Sequence, residues 1–507
     1  MIRRYFATKD NTITNAFEEN LTTRGTGSNM GASDILEVFS IYGQVSNSSG
    51  FSNELARTLI QFDISSIETD RTSGLVPASG SVTWYLKMFN APHIQTTPSN
   101  FTLQVAAISA SWEEGYGLDM EFYEDLTKDG IGSNWINSSE GTTWTSAGGD
   151  YLTDASSSFT QTFSTGLEDL SVDVTTLVEQ WLDSDGNVLG SKSNYGFGVK
   201  FTNALETASK SFFTKKFFGK DSEFYFQRPV LEARWNSSRQ DDRGSFYLSS
   251  SIATGEDNLN TIYLYNSIRG RLRNIPDVGT GTIGVSIFSS SNTAPTGGAL
   301  EMTADGTHVL SDNPLVVTGG YVSTGIYSAS LAFTGSSDLT SINDVWFKLD
   351  DTIANATTSP AQYATGTINL KTFAASAHNP ETLHVVSMPR LKREYRKNQT
   401  HRLDLYTREK NWSPNIYTKA IQTSVPSLII PSASYQIRRS VDDYVVVAYG
   451  TGSTLHTGLS YDVSGNYFDL DTTYLEAGYL YEIQYSFYDE ENGWEEQPYR
   501  FKFRVVD

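Results

Sequence analysis

The stretch richest in groups able to do chemistry lies between Trp112 and Tyr151. Glu113, Glu114, Asp119, Glu121, Glu124 and Asp125 crowd there beside Trp112, Tyr116 and Phe122. Glycoside hydrolysis needs only two carboxyl groups at a fixed separation, one kept protonated by an apolar pocket. The chain has 58 acidic against 37 basic residues, so a solvated acidic loop is the first expectation and a loop that binds a neighbouring subunit the second. Trp112, Trp135 and Trp144 lie on or beside the same loop. An exposed ring would stack on a pyranose face, whereas packing against the edge of a sandwich is the commoner use of so large an aromatic.

Other constellations are thinner. Asp183, Asp185 and Asn187 have the alternating oxygens of a calcium loop, but the glycine and terminal glutamate of an EF-hand are out of place, so a helix-ending turn is expected there. The histidines, His93, His308, His378, His384, His401 and His456, contain no helical i, i+4 pair. His384 and His401 could approach each other only across a pair of strands. No GxSxG elbow and no glycine-rich phosphate loop occurs. Cysteine is absent, which rules out disulfides, thiolate metal sites and a cysteine nucleophile. The sharpest charge anomaly is LKREYRK. Arg390, Lys392, Arg393, Arg396 and Lys397 would line one strand edge, either guarding it against unwanted pairing or docking on an acidic neighbour.

These groups must be carried by a β framework. Tyr 28 and Phe 27 amid many Ser, Thr, Gly and Asn is a composition of strands and polar turns. The net charge, 37 − 58 = −21, opposes nonspecific contact with nucleic acid. No stretch approaches a membrane span, and no basic segment followed by an apolar run opens the chain, so a cleaved export signal is not expected. The clearest local pattern is DLSVDVTTLVEQWLDSDG, residues 169–186. Leu170, Val172 and Val174 alternate as in a strand. Val174, Leu177, Val178, Trp181 and Leu182 then fall on one helix face. Asp173 is placed to cap that helix, and Trp181 to anchor it over an open end of a sandwich. No second helix is evident.

At 507 residues three domains are expected. Residues 1–236 contain strand patterns at 35–45, 59–64, 81–89, 101–108, 195–201, 211–217 and 229–235. Residues 237–379 follow a polar linker at 236–245, with strand patterns at 262–264, 283–288, 315–317, 327–333 and 345–349. Residues 380–507 carry further candidates at 428–430 and 443–450. They close with a hairpin, 479–488 returning as 499–506 around Asn492-Gly493.

The first unit resembles the DNRLRE-type domain. RTLIQFDISSI (57–67), SGSVTWYLKMFNA (79–91), SWEEG (111–115), TWTSAGGDY, the SVDVTTLVEQWL helix, NYGFGVKF and FFTKKF…RPVLEARW occur in that family's order. The resemblance implies a jelly-roll-like β-sandwich related to carbohydrate-binding modules. The later part resembles virion structural proteins of marine tailed phages, in TGIYSASLAF (324–333), DVWF (344–347), REKNWSPNIYTKA (408–420), YGTGSTLHTGLSYDVSGNYFDLD (449–471) and EEQPYRFKFRV. With the opening MIRRYFATKDNTITNAF, that likeness spans the chain and implies a particle component.

The expectation is therefore an all-β protein: a jelly-roll-like β-sandwich with one short helix, then two smaller β-sandwich, Ig-like domains. It would be a non-enzymatic structural part of a virion, at the neck, the tail or the capsid. It would contact other virion proteins and its own copies in a symmetric oligomer, and would bind no nucleic acid directly. The alternative is host recognition, with a polysaccharide stacked on Trp112, Trp135 or Trp144. No cofactor is called for, calcium being the only ion the spacing suggests.

Overall fold

The structure, a computed structural model, describes residues 1–43, 52–92, 98–118, 132–183, 189–208, 211–289, 299–303, 315–333, 339–349, 361–371, 383–412, 415–417, 427–489 and 492–507. It is 46% strand and 8% helix, which makes the protein all-β. The chain divides into two compact units, Met1–Asn236 and Ser237–Asp507.

The strands of the first unit are β1 Ile2–Thr14, β2 Ile35–Gly43, β3 Ser52–Phe62, β4 Thr83–Met88, β5 Phe101–Ala107, β6 Asn137–Ser139, β7 Thr142–Thr143, β8 Ser158–Phe163, β9 Leu170–Asp173, β10 Phe197–Phe201, β11 Phe212–Phe218 and β12 Val230–Arg234. They run in the order β8-β5-β10-β3-β1-β12-β4-β9, with β2 on β3 and β11 on β2. The long first strand is the seam. Ile2 to Phe6 pair with β12, and Ala7 to Thr14 pair with β3 across a register shift between Ala7 and Lys9. A bulge of this kind bends a strand and lets it serve two sheet faces. The faces enclose one core, to which β4 contributes Trp84, Leu86 and Met88 and β5 contributes Phe101, Leu103 and Val105.

Among the described residues, two helices of more than one turn pack on this framework, one more than the sequence pattern suggests. The unforeseen helix is α1, Ile64–Thr72; only Ile64 and Ile67 are buried, so it shows no apolar stripe. Asp63 starts it by accepting from the Ser65 N–H at 3.0 Å. The foreseen helix, α2, is Thr175–Trp181. Asp173 accepts from the Thr175 N–H at 2.9 Å, as a cap should. Trp181 is buried and meets Phe197 edge-on at 4.7 Å, but Val174, Leu177 and Val178 lie deeper. The polar side of α2 is buried as well. Glu179 takes both Arg71 nitrogens at 2.7 Å and the Trp84 indole N–H at 2.8 Å, tying α2 to α1 and to β4.

In the second unit, β13 Phe246–Tyr247, β14 Asn260–Tyr265, β15 Ser267–Ile268, β16 Arg271–Leu272, β17 Ile283–Phe288, β18 Val317–Ser323, β19 Ile326–Leu331, β20 Ser341–Phe347 and β21 Gln362–Lys371 come first. Seven form a sheet ordered β13-β21-β20-β17-β18-β19-β14. Its two ends meet through a side chain. The Asn260 amide accepts from the Tyr247 N–H and donates to the Tyr247 carbonyl, closing the sheet like a barrel. Then follow β22 His384–Ser387, β23 Glu394–Arg396, β24 Thr400–Glu409, β25 Ala433–Arg439, β26 Tyr444–Val447, β27 Ser460–Asp462, β28 Gly465–Asp471, β29 Leu480–Asp489, β30 Gly493–Glu496 and β31 Phe501–Val506. They make sheets β22-β24-β28-β27 and β23-β31-β29-β25-β26, with β30 beside β29. Tyr435 and Phe468, one from each sheet, stack at 4.1 Å.

The segment expected as a polar linker is built into this unit. Gln240 bridges to Tyr461, the Arg239 N–H donates to Ser460, and the Tyr461 hydroxyl donates to Asp242.

Candidate functional site

The aromatic loop is held by one asparagine. The buried Asn29 amide donates to the carbonyls of Glu114 at 2.8 Å and Ser133 at 2.7 Å, and accepts from the Gly31 and Gly117 N–H groups. Glycine is required around it. A Cβ on Gly117 would lie 1.6 Å from the Asn29 carbonyl oxygen, and one on Gly115 2.4 Å from its side chain. Asn11, on β1, donates to Ser133 from below. The loop is thereby drawn onto the face of β1 and β3 that points away from the main core.

That face is closed by the tryptophans. Trp112, Trp135 and Trp144 are only 4%, 7% and 5% exposed, and they form a separate core with Ile13, Leu59 and Ile108. The Trp112 indole N–H donates to the Tyr195 carbonyl at 2.8 Å, that of Trp144 to the Asn134 carbonyl at 2.9 Å. Arg57 lies 5.0 Å from the Trp135 ring and 5.6 Å from the Tyr151 ring, donates to the Gly148 carbonyl and forms a two-point ion pair with Glu206. A stacking platform needs an open ring face, and these rings have none. The glycan-stacking reading of Trp112, Trp135 and Trp144 is therefore corrected: they cover a sheet.

The loop carboxylates divide. Asp119, Glu121, Glu124 and Asp125 lie outside the described residues. Glu114 accepts from the Asp10 N–H at 2.8 Å and lies 3.4 Å from the Lys220 ammonium. Asp10 accepts from the Lys220 N–H at 2.6 Å, while its Oδ1 is buried without a hydrogen-bond partner. Burial pushes the Asp10 carboxyl up to about 7 and raises Glu114 also. A carboxyl so perturbed suits a general acid, but Asp10 is wholly buried, so no substrate reaches it.

One member of the cationic run, Arg396, lies on an edge strand. β23 is the terminal strand of its sheet and runs parallel to β31, Glu394 opposite Arg504 and Arg396 opposite Val506. Tyr395 turns inward against Phe503 and His401. Lys392, Arg393 and Arg396 are exposed and Lys397 half-buried. Arg390, 79% exposed, pairs with Asp404 at 3.1 Å, a contact of little strength in solvent.

His384 and His401 do not converge. His384 stands opposite Glu409 at one end of β24 and His401 opposite Leu470 at the other. His384 packs on Phe487, and burial lowers both imidazoles below their ordinary value. Of the calcium triad only Asp183 is described; it ends α2 with φ 44. Among the described residues no group of three or more His, Cys, Asp or Glu is placed to hold a metal. An open groove of about 390 Å³ lies between Glu68, Arg71, Thr72, Ala78, Ser79, Leu182 and Asp183, away from the other nominated residues.

No family model matches the chain, and no curated protein matches it. Among solved structures, a tetra-tandem repeat from the extending region of a large adhesion protein is 14% identical over 51% of this chain and 48% of that one, with a TM-score of 0.14. The chain thus spans about half the length of that repeat protein. A Ca2+-stabilized adhesin, described as helping an Antarctic bacterium reach out and bind ice, is 10% identical over 99% of this chain and 100% of that one, with a TM-score of 0.14. Trypsin-activated alpha-2-macroglobulin from Escherichia coli is 9% identical over 92% and 23%, with a TM-score of 0.16. These values fall far below a shared fold.

Proposed function

We propose that the protein is a non-enzymatic structural component of a tailed-phage virion, at the neck, tail or capsid, with a DNRLRE-like first unit. The observation that carries this reading is the edge strand β23. It carries Arg396 into solvent, and Lys392 and Arg393 just before it are exposed too, on a chain of net charge −21. Cations concentrated on the rim of a rigid sheet suit an acidic surface on a neighbouring particle protein, where charge sets register and partner choice. Ordered sequence likeness to virion proteins along the chain supports the same reading. Interfaces of this kind, repeated by particle symmetry, gain avidity from modest single contacts. Charge reversal tests it: Arg393→Glu with Arg396→Glu should yield a folded protein that particles fail to incorporate. Incorporation at the wild-type level would remove β23 from the account. Polysaccharide recognition has lost the three tryptophans on which it rested.

A further inference from the structure

Lys215 lies on β11, an edge strand, yet its side chain is wholly buried. Its nitrogen is held by three oxygens: Asn90 Oδ1 at 2.6 Å, the Gly166 carbonyl at 2.8 Å and the Glu168 carbonyl at 2.7 Å. The Phe163 and Phe217 rings stand 5.1 and 5.2 Å away. The backbone fixes the approach from both sides, since the Ala91 N–H donates to the Lys216 carbonyl and the Phe218 N–H to the Phe89 carbonyl. Asp169 lies beside the group, its carboxylate accepting from the Asn90 backbone N–H at 2.8 Å.

Counting donors shows what the cluster can do. An ammonium has an N–H for each of the three oxygens. A neutral amine has two, which the Gly166 and Glu168 carbonyls take, and its lone pair is left facing the Asn90 amide. Burial pushes the Lys215 amine down to about 8, against the opposing charges of Asp169 and Glu168. The neutral form is therefore about a tenth of the population at pH 7. A neutral amine and a primary amide held in contact are the reactants of a transamidation, and fixed proximity is what makes such a slow reaction proceed.

We propose that Lys215 and Asn90 join in an intramolecular isopeptide bond. Lys215 Nζ attacks Asn90 Cγ, the Nζ–Cγ bond forms, the Cγ–Nδ2 bond breaks, and Nδ2 leaves as ammonia. The proton shed by the attacking nitrogen passes to the departing Nδ2, so atoms and charge balance within the pair. No oxidant or cofactor enters. The product is a neutral secondary amide whose one N–H donates to a carbonyl that held the amine, and a buried charge is removed. The link closes a span of 125 positions between the end of β4 and β11. It would restrain the unfolded chain as a disulfide does, in a protein that has no cysteine.

The test is the intact mass of the purified full-length chain under denaturing conditions, followed by peptide mapping. The expected result is a mass lower than the sequence mass by one ammonia, with a branched peptide joining the segments that contain Asn90 and Lys215. Lys215→Met and Asn90→Ala should each retain the full mass of their sequence, and ammonia loss that persists in either would overturn the proposal. A wild-type chain still at its sequence mass after prolonged incubation at about pH 9, where the amine is mostly neutral, would overturn the proposal. So would ammonia loss that maps elsewhere without a branched peptide.

Discussion

Replacing Trp144 with alanine separates a sheet cover from a ligand platform. The ring is 5% exposed and packed in the second core of the first unit. Truncation of so large a buried ring costs about 3–5 kcal/mol in transfer and cavity energy. It also strands the Asn134 carbonyl, which accepts from the indole at 2.9 Å; an unpaired buried acceptor adds roughly 1–3 kcal/mol where water cannot reach it. The combined loss is about 4–8 kcal/mol, a large part of the ~5–15 kcal/mol that holds an ordinary domain together. Trp144→Phe keeps most of the ring and should recover more than half of the loss. The assay is urea unfolding of the full chain, followed by near-UV circular dichroism to isolate packing around the aromatics. A destabilisation below about 1 kcal/mol would refute the packing argument. Loss of glycan retention with unchanged stability would restore the platform.

Three further outcomes follow from buried charge and from the edge. The Asp10 carboxyl is raised from 3.8 to about 7 in the fold, so between these values the native state binds the proton that the unfolded state has lost. Stability should fall as pH rises from about 4 to 7, by up to ~4 kcal/mol. Asp10→Asn should flatten that dependence in urea titrations at several pH values, apart from the smaller part that Glu114 contributes with the same sign. Glu232, wholly buried, faces Arg4 at 2.6 Å, Arg234 at 2.6 Å and Lys87 at 3.8 Å. Those cations hold its carboxyl well below the usual range, so its stabilisation is complete above the ordinary glutamate value and is lost only as pH falls through the depressed one. Glu232→Gln should cost about 3–5 kcal/mol at pH 7, seen as a lower melting temperature, because three inward cations lose their counter-charge. Reversal of Arg393 and Arg396 should shift stability by less than about 0.5 kcal/mol in the same melts.

What could be read from the sequence follows how local each signal is. The β17 pattern, Ile283–Phe288, sets Ile283, Val285 and Ile287 in alternation with small residues and appears at the expected positions, every residue buried. The closing strands pair as expected, Ile483 opposite Phe501, but the strand directly after the turn is the short β30, with Asp489 opposite Gly493. α1 was hidden because seven of its nine residues face outward or lie half-buried. β21, Gln362–Lys371, was hidden because Ile368 is its only buried residue. Residues 428–430 look like a strand but are not one, since the Asn466 amide pairs with both backbone groups of Ile430 in place of a neighbouring strand. The tryptophan loop was visible as a loop but not as a cover. Its organiser, Asn29, lies 85 positions from Glu114 and 104 from Ser133, and no local pattern links residues so far apart. The one available sign was the glycine set Gly115, Gly117 and Gly132, whose missing side chains leave room for that asparagine. The cationic run was legible as charge, a local property, but of its five cations only Arg396 falls on the edge strand β23.

The most direct measurement of the central claim is quantitative mass spectrometry of purified particles, with the protein's copy number normalised to the major capsid protein. The account predicts a fixed stoichiometry: a few to a few dozen copies for a neck or tail position, or hundreds for the shell. Absence of the protein from purified particles would contradict it.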